Sequence, residues 1–595
     1  IMWPHRPAWS GAVNKPGEIR MQTIDAIMST INGVLWHDVV LWTLLGTGIG
    51  FTVWSGFSQY RALTHGSHVL RGRYDDPDDP GAINHFQALS AALSATVGLG
   101  NIGGVALAIA LGGPGAIFWM WVVGFFGMAI KLTEVTLSML YRNTDDADNP
   151  HGGPMWVISK GLALMNPRLA GLGKAIGAVF CVTLLVSTVT GGNMFQAWNV
   201  AEITHAYFGI PGIVSGIVLA ILVAMVIIGG IKRIGAVAGR LVPIMVALYL
   251  LAGCYVLVIH AERIPGLLKL IVTSAFSGTE GTGAFLGGTF ATAFLFGMKR
   301  ALFSSEAGQG SSPIAHSAAK TSEPVREGIV AGLEPFIDTL VVCTFTALVI
   351  LSSGVWNRLG DAVFDAPPRI MADGPGHWTL QSTPPPGPIE WVDGEAVFMI
   401  LLGDSNPASG NNRHKLFGHI ETQGKREPMV RWESIASGVE PALAGPEIYR
   451  DYQGATLTAR AFDTVQEDLG KWLVTLAAWL FAISTMISWS YYGEQGMVYL
   501  AGQRSVLAYK LVYCLLILVA TAGVIRTDVQ LDNLTGIGTG VMLFANVPIM
   551  WIFGAQAMRA YKDYVSRLDA GLVGRGHAPP SLEDLISGRD VESQK

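Results

Sequence analysis

The sequence predicts an all-α polytopic membrane protein of about eleven transmembrane helices, two of them broken, with a small strand-rich insertion late in the chain. Three observations predict it. The chain is 50% hydrophobic and 14% charged, against about 25% charged residues in soluble domains. Apolar runs long enough to cross a bilayer core of about 30 Å recur along it. Two of those runs carry closely spaced glycines beside small polar residues, at 98–104 and 308–310. The net charge of -5 is small, and no basic tract points to nucleic acid. Cys181, Cys254, Cys343 and Cys514 all lie in apolar segments, where they read as small core residues rather than disulfide partners or metal ligands.

In chain order, residues 1–37 read as an N-terminal extracytoplasmic segment. No basic start followed by an apolar core is present, so no signal peptide is read there. Residues 38–82 hold an extra span, 39–57, and a linker whose Arg61, Arg71 and Arg73 set that side in the cytoplasm. The first repeat, 83–262, holds spans at 86–111, 116–140, 175–200, 211–230 and 241–259. The second repeat, 263–353 and 454–556, holds spans at 284–303, 328–351, 473–492, 506–524 and 536–553. Basic residues return in alternate loops: Arg142, Lys160 and Arg168, then Lys232, Arg233 and Arg240, then Lys320 and Arg326. One orientation satisfies them all, with the N-terminus outside the cell (inner) membrane and the tail, 557–595, in the cytoplasm. Residues 354–453 are rich in Pro, Asp, Glu and Arg, with near-alternation at 415–421 and 429–432. They read as a small strand-rich extracytoplasmic insertion, or as a long ordered loop.

Ser94-Ala95-Thr96-Val97-Gly98-Leu99-Gly100-Asn101-Ile102-Gly103-Gly104 organises the rest. An unbroken helix over 86–111, rising about 1.5 Å per residue, would overshoot the bilayer core. Glycines at its middle predict an interruption, and irregular backbone at that depth survives only where it lines a cavity or is buried. The alternative is that these glycines only let helices approach closely. Ser304-Ser305-Glu306-Ala307-Gly308-Gln309-Gly310 gives a second interruption at the corresponding place in the other half. Paired breaks mark a carrier site between inverted repeats.

A zwitterion needs donors for its carboxylate and acceptors for its ammonium. Amides around Gly98–Asn101 supply donors at a half-helix start, worth about 0.3–2 kcal/mol to an anion. Asn101 either caps that half-helix or offers an oxygen to sodium, and the two roles are compatible. Ser484 and Thr485 could join carbonyls of Ser94 and Val97 as neutral oxygen ligands, or bond only within their own helix. Asn193 and Gln196 share a helix face and either touch substrate, Gln196 foremost, or bridge helices. Trp489, one turn beyond Thr485, caps a small pocket or sits in an interfacial belt. Lys131 and Glu134, three apart on one helix face, are expected to pair with each other or with a neighbour. Arg300 and Glu306 border the second break, with Glu334 and Asp338 as expected partners for Arg300.

Six runs carry a family resemblance: Thr96–Ile102 with Gly112–Trp121, Gly192–Gln196, Arg300–Gly308, Ser484-Thr485, and Trp489–Glu494. On these the chain resembles the alanine or glycine:cation symporter family across 38–352 and 454–556. The resemblance implies a LeuT-type five-plus-five inverted repeat with discontinuous core helices 1 and 6. It also implies sodium coupling and a small neutral amino acid of the alanine or glycine class. It implies substrate contacts at Thr96, Gly98, Gly100, Asn101, Gln196, Ser305, Gly308 and Trp489. Sodium is implied at Ser94, Val97, Asn101, Ser484 and Thr485. The chain departs from the family at Ser305, where Asn is usual, and in its insertion.

The expected function is a sodium-coupled symporter importing a small neutral amino acid by alternating access, in the bilayer, with no cofactor beyond Na+ as coupling ion. The other class is a non-transporting amino-acid sensor or receptor on the same fold. An enzyme is not expected: the chain has no paired nucleophile and base, no His-Glu-x-x-His and no metal-ligand spacing.

Overall fold

The computed structural model describes residue 28 and residues 30–405, 411–422, 427–452, 454–523, 528–574 and 580–587. Most of the segment expected at 1–37 lies outside the described residues. Among them, eight helices are long and apolar enough to cross a membrane, or nine if the bent pair His85–Thr96 and Gly100–Gly112 is one span. The sequence reading expects about eleven. Two of the expected spans are 16-residue helices, Gly212–Ile227 and Phe290–Ser305. At about 1.5 Å per residue each rises about 24 Å, short of the bilayer core. The first follows Pro211 and gives way to Gly229 and Gly230, and the second stops where Glu306 turns left-handed.

The two broken helices are built alike. His85–Thr96 starts with a capping box in which Asn84 and Gln87 exchange side-chain bonds with each other's backbone amides. Phe290–Ser305 starts with the same device, Thr289 and Thr292. Each satisfies free amides at a helix start without continuing the helix backwards. His85–Thr96 packs against Gly230–Ile259 and Leu469–Ala501, while Phe290–Ser305 packs against Gly115–Tyr141. Outer helices show lipid-type faces: Gly230–Ile259 exposes Ile244, Leu251 and Val258.

Among the described residues, nine short strands lie between Ala362 and Arg450, in two sheets. Ala396–Leu402 is the buried middle strand. It pairs antiparallel with Arg413–Glu421 on one side and Glu447–Arg450 on the other. Val397, Met399, Leu401, Leu416, Ile420 and Trp432 form a core of their own, separate from the helices. The strands sit against the 278–288 loop, where Asn411 Nδ2 donates to Leu286 O at 2.5 Å and Arg413 donates to Gly283 O at 3.2 Å. The helix after them, Ala455–Asp463, covers the first break, with Thr458 Oγ1 donating to Ile102 O at 3.0 Å.

Candidate functional site

The first break begins at Val97, whose ψ of 92° ends His85–Thr96 in extended backbone. The chain resumes in the π-helical turn Gly100–Gly104, bent by 54° from the first half. Asn101 holds the gap. Its Oδ1 accepts from Gly98 N at 2.8 Å, and its Nδ2 donates to Ser304 Oγ at 3.0 Å and Asp338 Oδ1 at 2.5 Å. One side chain thus ties the first break to the end of Phe290–Ser305 and to a second π-helical turn, Phe336–Cys343. A third such turn, Thr190–Met194, faces the same region. π-Turns of this kind collect at functional sites because they free backbone groups from the regular ladder.

The second break begins with Glu306 at φ 52°, followed by Gly308 at 84° and Gly310 at 79°. A left-handed non-glycine residue costs about 1–2 kcal/mol. Local bonds hold it. The Glu306 carboxylate accepts from Ser311 Oγ, and Gln309 Nε2 donates to Leu302 O at 2.8 Å. Asn546 Nδ2 donates to Gly308 O at 2.9 Å.

Between the breaks lies a cavity of about 30 Å³. That is room for a water molecule or two and less than an amino acid needs. Ala95, Thr96, Gly98 and Gly100 line it from the first break, and Phe303, Glu306 and Gln309 from the second. Gly191, Gln196, Thr485, Trp489, Thr535 and Thr539 complete it. Two of these carry buried polar atoms without a hydrogen-bond partner, Gln196 Oε1 and Thr485 Oγ1. Each costs about 1–3 kcal/mol unless a ligand satisfies it. Gln196 is aimed by its own Nε2, which donates to Gly191 O at 3.1 Å. A Cβ on Gly98 would stand 2.8 Å from Thr485 Oγ1, so glycine is what lets that hydroxyl approach the broken backbone.

Of the substrate residues expected from sequence, Thr96, Gly98, Gly100, Gln196 and Trp489 thus line one cavity. Asn101 and Ser305 are fully buried beside the breaks and do not line it, and Gly308 presents its carbonyl to Asn546. Of the sodium residues, Ser94 and Ser484 bond each other. Ser94 Oγ donates to Ser484 O at 2.7 Å, and Ser484 Oγ donates to Ser94 O at 3.2 Å. Val97 is buried at the break itself, next to Gly98. Asn193 spends its amide on Tyr513 O at 2.7 Å and bridges helices.

The expected pairing of Arg300 with Glu334 or Asp338 is corrected by the structure. Glu334 pairs with Lys131 at 3.3 Å and His316 at 2.7 Å, while Asp338 accepts from Asn101, Ser304 and Thr339. Both carboxylates therefore find nearer donors on facing helices. Sequence reading missed Phe303, Gly191, Gln309, Thr535 and Thr539 as lining residues. The one available signal was Thr535 and Thr539, four apart and so on one face of their helix.

The sodium:alanine symporter family matches residues 21–369 and 440–576. This chain belongs to the sodium:alanine symporter family. It is a multi-pass membrane transporter, a sodium-coupled amino-acid symporter, and not an enzyme. The sodium/alanine symporter AgcS of Methanococcus maripaludis is 35% identical over 522 residues, 88% of this chain and 93% of that protein. The amino-acid carrier protein AlsT of Bacillus subtilis is 36% identical over 339 residues, 57% of this chain and 69% of that protein. Among solved structures, MhsT in complex with L-phenylalanine aligns with 86% of this chain and 100% of its own, at 12% identity and a TM-score of 0.46. The assignment rests on the sequence matches.

Proposed function

We propose that this symporter imports a small neutral amino acid, of the alanine or glycine class, by alternating access around the cavity between its two breaks. The observation that carries this reading is the pair of unpartnered groups, Gln196 Oε1 and Thr485 Oγ1, lining that cavity. One is an acceptor suited to an ammonium, the other a neutral hard oxygen suited to sodium. Amides around Gly98 and Gly100 take the carboxylate, at the start of a half-helix. Thr485, Ser94, Ser484 and the Val97 carbonyl hold sodium beside it. Asn101 joins them by sharing its Oδ1 with Gly98 N, or else acts only as the cap that shapes the site. Trp489 and Phe303 limit the side chain, while Ser305 and Gly308 set the path of the second break.

In this reading the repeats run over 83–262 and over 263–353 with 454–556, in a LeuT-type arrangement. The extra helix and linker at 38–82 stand outside them. The insertion, 354–453, faces out, as does the N-terminus, and the tail lies in the cytoplasm of the cell. Rocking of one repeat against the other would open the cavity to each side in turn. Each net charge moved inward gains about 2.3 kcal/mol per 100 mV of membrane potential.

The test is equilibrium binding of radiolabelled alanine to the purified protein, with sodium or with choline. Sodium-dependent binding that is lost in Gln196→Ala supports the site. Binding indifferent to sodium and unchanged in both Gln196→Ala and Thr485→Val removes it.

A further inference from the structure

Behind the cavity lies a chain of buried charges that substrate and sodium binding do not use. Glu306, which lines the cavity, accepts from Ser311 Oγ, and the adjacent Ser312 Oγ contacts Lys131 Nζ at 2.5 Å. Lys131 sits 3.6 Å from Glu134 and 3.3 Å from Glu334. Glu334 meets His316 Nε2 at 2.7 Å, and His316 Nδ1 meets Glu327 at 2.5 Å. The other oxygen of Glu327 contacts His85 Nδ1, and His85 Nε2 stands 4.0 Å from Asp75. Asp75 is 44% exposed, whereas the five side chains from Lys131 to His85 are at most 1% exposed. From Lys131 to His85 the groups alternate base and acid at 3.3 Å or less, and the last step, to Asp75, spans 4.0 Å.

The count of charges is uneven. Lys131, His85 and His316 can supply three positive charges, against four carboxylates at Glu134, Glu306, Glu327 and Glu334. The flanking groups do not cancel the excess. Asp338, near Glu306 at one end, is held by its own donors Asn101, Ser304 and Thr339, while Arg142, near Glu327 at the other, is offset by Asp79, and Tyr492 beside the carboxylates is neutral, so at least one negative charge remains in excess. A net buried charge costs several kcal/mol, so the cluster is neutral only when it holds one extra proton. A cation arriving in the cavity beside Glu306 supplies that missing positive charge.

We propose that this cluster is a proton site, and that sodium-dependent amino-acid binding expels one proton from it along Glu334, His316, Glu327, His85 and Asp75. The inference rests on the binding role proposed for the cavity. Each histidine, cationic in this count, gives a proton up on the side toward Asp75 and takes one back at its other ring nitrogen from the side toward Glu334, so the acid bound in the cluster ends as a hydronium in solvent. The charge gained is the bound cation's, and the return of a proton restores the empty carrier.

The experiment mixes the purified full-length protein with sodium and alanine in weakly buffered solution containing a pH-indicator dye. Radiolabelled alanine binding is measured on the same sample. Wild type should release about one proton per bound alanine, as the uneven charge count requires. Glu134→Gln removes the excess carboxylate away from the cavity, and should cut the release at least about tenfold while alanine still binds. Glu327→Gln is the second test of the same count should Glu134→Gln fail to fold. His316→Gln keeps a carboxylate in excess, now two instead of one, but interrupts the path, so a proton should still leave, at least about tenfold more slowly. Wild type that binds alanine without releasing protons overturns the inference and leaves the binding site standing. So does full release from a folded Glu134→Gln, or unslowed release from His316→Gln. Absence of any alanine binding overturns the binding site itself, and the proton site with it.

Discussion

Thr485→Val isolates one atom of the proposed sodium site. Thr485 is buried on Leu469–Ala501, its Oγ1 has no hydrogen-bond partner, and it stands close to Gly98. Valine keeps the shape and loses the oxygen. In the sodium-free protein the change removes an unsatisfied buried hydroxyl, so stability should hold or rise slightly. In the sodium-bound protein it removes a ligand. An interaction between a polar group and a charge contributes about 1.5–3 kcal/mol, and about 1.4 kcal/mol is a factor of ten. Sodium affinity should therefore weaken about tenfold to a hundredfold. The assay is the sodium dependence of alanine binding by purified wild type and variant, with melting temperature followed without sodium. An unchanged sodium midpoint in a variant that melts normally would refute the assignment of Thr485.

Other substitutions carry their own expectations. Gly98→Ala forces a Cβ to within 2.8 Å of Thr485 Oγ1, so it should weaken sodium binding like the valine variant but also lower the melting temperature. Asn101→Ala strips the Gly98 amide and the buried Asp338 carboxylate of a partner. A loss of about 2–4 kcal/mol should follow, visible in a thermal-shift assay even without sodium. Trp489→Leu enlarges the cavity, and should let leucine compete with alanine where it does not in wild type. His65, on the polar helix Ser58–Leu70, is held down from 6.5 to about 4, mainly by burial and then by His68, Arg326, Arg61 and Arg73. The unfolded chain therefore binds the proton more readily. That stability is present above about pH 6.5 and is lost as pH falls toward about 4. His65→Phe should flatten the melting-temperature profile across that window.

Local features of this chain were legible because each has a local cause. Glycines in 98–104 weaken a helix wherever it sits, and the resulting bend lies within two residues of Gly98. Gln196, Thr485 and Trp489 stand out because polar or large aromatic residues in apolar helices must face something other than lipid. What stayed hidden depends on which helices meet. Glu334 and Asp338 are four apart on one stretch, yet one pairs with Lys131 and His316 and the other with Asn101 and Ser304. No spacing in the sequence distinguishes those partners from Arg300. The lining role of Thr535 and Thr539 depends in the same way on the last helix passing the cavity. The count of spans turns on two short helices, Gly212–Ile227 and Phe290–Ser305, whose 16 residues rise less than a full crossing.

The most direct test is uptake of radiolabelled alanine into liposomes holding the purified protein, with an inward sodium gradient and with choline in its place. Accumulation above the outside concentration with sodium, collapsing when the gradient is dissipated, is the predicted result. Alanine that binds without ever accumulating, or that equilibrates equally with choline, would contradict it.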